Sequence, residues 1–374
     1  MKIVHVITGL GDGGAEGVLS RLCAHDRIYN HVVISLSGEG KYGPLLRAKK
    51  IEVYSLGMRP SQPSLMAFIR LIQLLLRQKP DVVQTWMPHA DLLGGIASRL
   101  VGIKSVVWGI RHTSLDQRLS KRKTIWIVKL LAKLSWRLPS GIAVCSKRAM
   151  DVHEVLGYDR SKMSFIPNGY NLDAFAPKDE AARVLRKEWK VDPNTKLIGT
   201  VGRYDPQKDH ANLLRSLAIL RSRDINIRCV LIGSNLDLDN KELITQIHDL
   251  NLVKTVILLG RRTDISTVMS ALDIHVLPSA YGEAFPNVVA EAMACETPCV
   301  VTDVGDAAYI VGDTGWIVPP RDAKALANAI DLALEQRQKG QWRQRCHSAR
   351  QRIQTYFGIE KMISSYHELW RQSL

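Results

Sequence analysis

Ser279-Ala-Tyr-Gly-Glu-Ala-Phe-Pro-Asn-Val-Val-Ala-Glu-Ala-Met-Ala-Cys295 is the stretch whose reading decides the fold. Just before it, Asp273-Ile-His-Val-Leu277 is a short apolar run closed by Pro278. Such a run reads as a strand buried on both faces of a parallel sheet. Pro286 suits the first position of a helix, where an N–H has no intrahelical use. Val288, Val289, Ala292 and Met293 follow at helical spacing. Pro298 stops the helix, and Cys299-Val-Val-Thr302 resumes as a strand. Glu283 is therefore expected on the loop at the carboxyl end of a strand, and Glu291 about two turns into the next helix. Free N–H groups at that helix start can receive an anionic group. Glu291 is placed to accept hydrogen bonds from ligand hydroxyls.

Working outward, the same alternation of strand and helix covers the whole chain, so the fold class is α/β. Length favours two or three domains, at 374 residues. With 46% apolar and 23% charged residues the composition is that of a globular protein rather than a disordered one. No run of eighteen apolar residues predicts a spanning helix. Met1-Lys-Ile-Val-His-Val-Ile7 passes straight into a strand without the small-residue cleavage site of a secretory signal. Cys23, Cys145, Cys229, Cys295, Cys299 and Cys346 are scattered, with no metal-ligand spacing, and read as reduced thiols of a cytosolic protein. No metal site is predicted.

Net charge is +15 and uneven: residues 1–176 carry 25 Lys+Arg against 12 Asp+Glu, the rest 26 against 24. A basic half suits an anionic surface or ligand. Nucleic acid is not expected, because no helix-turn-helix, zinc-finger or aromatic RNA-binding pattern accompanies the charge. Much of it lies between Asp116 and Arg148, where Arg118, Lys121, Arg122, Lys123, Lys129 and Lys133 interleave with Trp126 and Trp136. Cations and tryptophans together fit anionic lipid head groups. A core helix with a solvated cationic face fits the same residues.

Three further loops carry candidate chemistry. Lys196–Val201 is a predicted strand followed by Gly202-Arg-Tyr-Asp-Pro-Gln-Lys208. Arg203 and Lys208 beside a helix start can neutralise a diphosphate. Near the amino terminus, Thr8-Gly-Leu-Gly-Asp-Gly-Gly14 follows a strand, and its spacing matches the dinucleotide fingerprint. Against a dinucleotide, no acidic residue ends the next strand, His31–Leu36. Gly109-Ile-Arg-His112 follows the strand Ser105–Trp108, which puts Arg111 and His112 on a loop of the ligand-binding kind.

The setting Glu283-Ala-Phe-Pro-Asn-Val-Val-Ala-Glu291-Ala-Met-Ala294 closely resembles the paired-glutamate signature of retaining glycosyltransferases of family four, of the kind that builds bacterial surface polysaccharides. The resemblance covers nearly the whole chain and is sharpest over residues 199–303. It implies the GT-B architecture: two Rossmann-like domains facing a central cleft, with a C-terminal helix crossing back to the first. On this chain that means an acceptor-binding domain over 1–170, a nucleotide-sugar domain over 177–355 and the returning helix over 356–374. Ile166-Pro-Asn-Gly169 resembles the turn that ends the first domain, giving a linker at about 167–177.

The resemblance also implies roles. Glu291 would hold the ribose hydroxyls of the donor. Glu283, with the N–H groups of Ala284, Phe285, Pro286 and Asn287 (proline lacking one), would meet the donor sugar. Gly202, Arg203 and Lys208 would hold the pyrophosphate in place of a metal ion, Gly13 and Gly14 would approach it, and Arg261 would pass near the base. Arg111 and His112 would meet the acceptor side, His112 either binding or assisting the transfer. The implied co-substrate is a nucleotide diphosphate sugar, UDP-hexose, UDP-N-acetylhexosamine or GDP-mannose. The implied acceptor is a membrane-associated glycan or lipid-linked sugar, met at the inner face of the plasma membrane. An epimerase of the same architecture, or a noncatalytic membrane-bound assembly factor, would carry many of the same residues.

Overall fold

A computed structural model describes residues 1–59, 64–113, 122–338 and 340–374, the side chains of 122 and 123 excepted. The chain divides into two compact units. Unit 1 comprises Met1–Gly169 with Ile359–Leu374, and unit 2 comprises Tyr170–Gly358.

Unit 1 is built on β1 (Lys2–Ile7), β2 (Asn30–Ser35), β3 (Glu52–Ser55), β4 (Val82–Trp86), β5 (Val106–Ile110), β6 (Gly141–Val144) and β7 (Met163–Phe165). They pair in parallel in the order β3-β2-β1-β4-β5-β6-β7. The central strands are buried on both faces because helices cover both; β4 and β5 are buried throughout, the polar Gln84 and Thr85 included. The chain lays down β1, β2 and β3 in one direction, then returns to the far side of β1 with β4. That reversal opens a crevice between the loops after β1 and β4.

Unit 2 repeats the plan with β8 (Lys196–Val201), β9 (Ile227–Ile232), β10 (Val256–Gly260), β11 (Ile274–Leu277), β12 (Cys299–Thr302) and β13 (Trp316–Val318). Their parallel order is β10-β9-β8-β11-β12-β13. The reversal here falls between β8 and β11, the strands that feed the Lys208 loop and the Glu283 loop.

The last helix, Ile359–Gln372, belongs to unit 1. Ile359, Met362, Tyr366, Leu369 and Trp370 recur on one face and are buried with β1, β4 and β5 side chains in one core. Polar bonds fix its seating. Trp370 Nε1 donates to Gln84 Oε1 at 3.0 Å, and Ser105 Oγ donates to the Ser373 carbonyl at 2.7 Å. His367 Nε2 meets Asp26 Oδ2 at 2.6 Å.

Three local expectations need correction. Pro286 caps the helix rather than opening it: the helix is Asn287–Ala294, and Pro286 keeps an extended ψ of 97°. Glu291 consequently lies just over one turn into the helix, not two. Ile166-Pro-Asn-Gly169, expected only as a domain-ending turn, follows directly on a strand: Met163–Phe165 pairs with β6 as a three-residue edge strand, too short to show any alternation.

Candidate active site

The centre of unit 2's carboxyl edge is a charge pair made by two loops. After β8, Asp205 accepts the Gln207 N–H at 2.9 Å and closes the short turn Pro206–Lys208. Asp209 then accepts from Asn212 N at 3.1 Å to cap the helix His210–Ser222. These two caps hold Lys208 between them. Its Nζ donates to Glu283 Oε1 at 2.6 Å, 75 residues away in sequence. Ser279 Oγ donates to the same oxygen at 2.8 Å, and the Ser279 carbonyl accepts from Thr302 Oγ1 at 2.6 Å. The Lys208 and Glu283 side chains are 16% and 9% exposed. Two charges so withdrawn from water need each other, and removing either leaves the other desolvated without this counter-charge.

The loops around this pair are locked by close backbone contacts. Gly233 has φ 147°, and a Cβ there would lie 1.8 Å from the Gly202 carbonyl. Gly305 has φ 58°, and a Cβ there would lie 2.1 Å from the Glu283 carbonyl. Neither position tolerates a side chain. The Ala280 N–H donates to the Gln207 carbonyl at 2.8 Å, and the Asp306 N–H to the Ala284 carbonyl at 2.9 Å. The loops after β8, β9, β11 and β12 thus form one connected rim.

The other donor-side candidates sit on or beside that rim. Gly202 backs the aliphatic stem of Lys208. Arg203 is mostly exposed, with Nε on Asp205 Oδ2 at 2.9 Å and Nη2 on Gln207 Oε1 at 3.3 Å. Arg261, after β10, donates to Ser234 Oγ at 2.6 Å. Ala284 and Phe285 are buried, Phe285 packing edge-on against Phe357 at 5.5 Å. Asn287 Oδ1 accepts from the Tyr170 hydroxyl at 2.5 Å. Glu291 is half-buried, one turn further along the helix. The structure therefore brings Arg203, Lys208 and Glu283 together through Gln207 and the Lys208–Glu283 contact.

Sequence reasoning missed the polar layer under this pair. His275 on β11 and His210 after the Lys208 turn are buried, and among the described residues neither ring has a hydrogen-bond partner. Burial first, then the nearby Lys208 charge, pushes His275 down to about 3 and His210 down to about 4. Both rings are neutral at physiological pH. A histidine inside a β-branched strand was the available signal.

In unit 1 the loop after β1 leads through Gly13, the cap residue, into the helix Gly14–His25, so Gly13 and Gly14 present backbone at that edge. Arg111 turns inward. Its guanidinium lies 4.5 Å from the Trp86 ring centre, with Nη1 on Asn168 Oδ1 at 2.6 Å and Nη2 on the Tyr366 hydroxyl. Arg111 is thus engaged in seating the terminal helix. His112 packs edge-on against His153 at 4.9 Å, and burial, reinforced by His153, pushes it down to about 3. It is a neutral ring whose Nε2 has no partner among the described residues. Asp91, in the first turn of the helix Pro88–Leu100, is buried. Its Oδ1 accepts from Thr85 Oγ1 at 2.5 Å and from the Gly109 N–H at 3.2 Å. It ties β4 to the strand that ends in Arg111 and His112.

Among the described residues, one group of side chains has metal-ligand proximity: His5, Cys23 and His31, with candidate ligand atoms within 4.8 Å of one another. The hydrogen bonds argue against a metal. Trp86 Nε1 donates to His5 Nδ1 at 3.2 Å, so His5 carries its proton on Nε2 and donates it to His31 Nδ1 at 2.9 Å. His31 Nε2 then donates to Asp26 Oδ2 at 3.0 Å. The imidazole lone pairs are already used, and the group is a buried structural relay. All six cysteines are free thiols, five of them buried.

Comparison with known proteins agrees with this layout. Residues 13–174 match the family model described as Glycosyltransferase Family 4, and residues 182–354 match Glycosyl transferases group 1. The UDP-Gal:alpha-D-GlcNAc-diphosphoundecaprenol alpha-1,3-galactosyltransferase of Escherichia coli is 28% identical over 316 residues, covering 81% of this chain and 78% of that protein. The capsular polysaccharide biosynthesis glycosyltransferase CapM of Staphylococcus aureus is 25% identical over 324 residues, covering 83% and 82%. Among solved structures, Anabaena HepE in complex with UDP superposes with a TM-score of 0.86 at 24% identity, over 98% of this chain and 99% of that one. With the two family models spanning nearly all of both units, the chain belongs to the glycosyltransferases of GT-B fold, a family 4 domain followed by a group 1 domain.

Proposed function

We propose that this glycosyltransferase moves a hexose or N-acetylhexosamine from a UDP-sugar to a lipid-linked or membrane-associated glycan, with retention of anomeric configuration. The observation that carries the reading is the Lys208–Glu283 pair at the β8/β11 reversal, in the place where open parallel sheets bind ligands. The Escherichia coli relative, whose name specifies a UDP-galactose donor and a diphosphoundecaprenol acceptor, supports the choice of substrates.

In this reading Lys208 and Arg203 meet the leaving diphosphate, where negative charge grows as the glycosidic bond breaks. A donor diphosphate would draw Lys208 from Glu283, freeing that carboxylate for the sugar. Glu291 takes the ribose hydroxyls. Ala284 to Asn287 frame the sugar, and Arg261 lies on the base side. His112, held neutral, serves the acceptor as a hydrogen-bonding group. The cations do the work of a divalent metal, so chelator leaves the rate unchanged.

The test is a thermal-shift screen of UDP- and GDP-sugars, followed by nucleotide release with a GlcNAc-diphospholipid. A true donor stabilises the fold by roughly 2.7 kcal/mol at a hundredfold excess over its dissociation constant. Donor turnover without acceptor would replace the transferase reading with an epimerase, and no nucleotide release with any lipid-linked acceptor would remove it.

The acceptor's lipid also gives the basic stretch 118–148 a use, at an anionic membrane surface. Residues 114–121, including Arg118 and Lys121, lie outside the described residues. Of the remainder, the helix Arg122–Leu134 buries Ile125, Val128 and Leu131, and turns Trp126, Lys129 and Lys133 outward. Among the described residues no helix is long and apolar enough to cross a membrane.

A further inference from the structure

The surface of unit 1 that carries Trp126 extends beyond the basic stretch. The helices Leu65–Gln78 and Arg122–Leu134 both pack against the helix Pro88–Leu100, one on each side. The middle helix is the recessed one: Ala90, Gly94, Gly95 and Ala97 are buried, and Gly94 lies against Val6 and Thr85 of the sheet. The two flanking helices therefore form the outer faces of the layer.

Helix Leu65–Gln78 is the unusual element. Its inner face, Ala67, Leu71 and Leu75, is buried as an amphipathic helix requires. Its outer face should then be polar, yet Leu65, Met66 and Leu76 are exposed by 74%, 67% and 54%. Scattered single exposures need no explanation, but several on one helix face do. Arg70 and Arg77 stand exposed among them, and Lys79 follows. The three helices together contain one acidic residue, Asp91, and it is buried.

Leu65 and Met66 begin a helix that crosses from β3 back to β4. They therefore lie at the carboxyl edge of the sheet, the edge that also bears Gly13 and His112. The exposed acids nearest this helix, Glu52 and Asp81, lie at its carboxyl end beside Gln78 and Lys79, so the face that joins Leu65, Met66 and Ile69 to cations is complementary to an anionic lipid surface, not to a neutral protein surface.

We propose that helix Leu65–Gln78 is a second membrane-contacting element. Leu65, Met66, Ile69 and Leu76 enter the acyl boundary, and Arg70 and Arg77 meet head groups. This rests on the reading of a membrane-borne acceptor, but it assigns the contact to residues outside the basic stretch.

The test is co-sedimentation of the full chain with vesicles of phosphatidylglycerol and phosphatidylcholine. The comparison is between wild type, the variant Leu65→Ser/Met66→Ser/Ile69→Ser, and Trp126→Ser/Lys129→Ser on the other flank. The triple variant is expected to need about tenfold more lipid for half-binding. Its melting temperature and its nucleotide release with a short-chain, water-soluble acceptor should stay at wild-type values. Binding by the triple variant equal to wild type overturns the proposal, even where the Trp126 variant loses binding. Absence of vesicle binding combined with a concentration-dependent dimer that the triple variant disperses also overturns it, giving the face to a second copy. Because nucleotide release is read separately, failure here leaves the transferase reading intact, and failure of that reading leaves the vesicle result intact.

Discussion

The two units place their charged candidates on the same kind of edge and use them in opposite ways. At unit 2's reversal, Lys208 reaches from one loop to Glu283 on another, and both belong to the connected rim. At unit 1's reversal, Arg111 turns away from the edge onto Trp86, Asn168 and Tyr366, and Asp91 is sunk between β4 and β5. Parallel topology supplies a position for a ligand in each. What the side chains bond to decides which position is charged and which is built from glycine backbone and a neutral histidine. The proposed function puts a nucleotide diphosphate at the first and an uncharged sugar hydroxyl at the second.

The contrast is broken most directly at Lys208. Lys208→Ala should lower kcat by about 10²–10³, the usual effect of removing one group that stabilises developing negative charge. Arg111→Ala should act mainly on stability. Steady-state nucleotide release on both variants measures the difference. A Lys208→Ala enzyme within threefold of wild type, beside an inactive but folded Arg111→Ala, would reverse the roles of the two edges.

Asp91 offers a test that needs no substrate. Burial pushes its carboxyl up from 3.8 to about 7, against the pull of the Thr85 and Gly109 hydrogen bonds and the Arg111 charge. In the fold it holds its proton more tightly than in the unfolded chain. Its contribution to stability is complete below pH 4 and is lost as pH rises towards 7. Three units correspond to at most about 4 kcal/mol, and relaxation of the site should reduce this to about 2 kcal/mol. Asp91→Asn keeps an oxygen for Thr85 and Gly109 but cannot ionise. Its melting temperature should exceed wild type at pH 8 and match it at pH 4. A parallel offset at both pH values would show that the carboxyl does not titrate in this window.

Much of this layout could be read before folding, and the limits have physical causes. The strands Lys196–Val201 and Cys299–Thr302 were legible to the residue because each is a short, mostly apolar run, the first closed by Gly202 and the second opened after Pro298. The terminal helix was expected over 356–374 from the family resemblance alone; the fold runs it over Ile359–Gln372 with one apolar face buried. The helix Tyr42–Ala48 was not legible, since seven residues containing Gly43 and Pro44 carry no period. Lys208 and Glu283 were legible as residue types on strand-end loops. Their bond joins loops some 75 residues apart and exists only after β8 and β11 become neighbours, while the Ser279 hydroxyl that shares the Glu283 oxygen comes from four residues away on the same loop. Arg111 is the opposite case. Position after a strand predicts a ligand-facing cation, but Tyr366, 255 residues later, determines where it points.

That last residue gives the finest test of the comparison. Tyr366 is fully buried on the terminal helix, and burial pushes its hydroxyl up to about 12, so it stays a neutral acceptor for Arg111. Tyr366→Phe keeps the ring against Trp86 and Trp370 and removes only the oxygen. Arg111 retains Asn168 and the face of Trp86, so the loss should be a single bond to a charged group, about 1.5 kcal/mol. Chemical denaturation would read this as a lower midpoint with an unchanged slope. If Arg111 only seats the helix, KM for the acceptor stays at the wild-type value while the midpoint falls. An acceptor KM that rises several-fold in Tyr366→Phe, with donor KM unmoved, would mean that the guanidinium also reads the acceptor, and unit 1's edge would be charged after all.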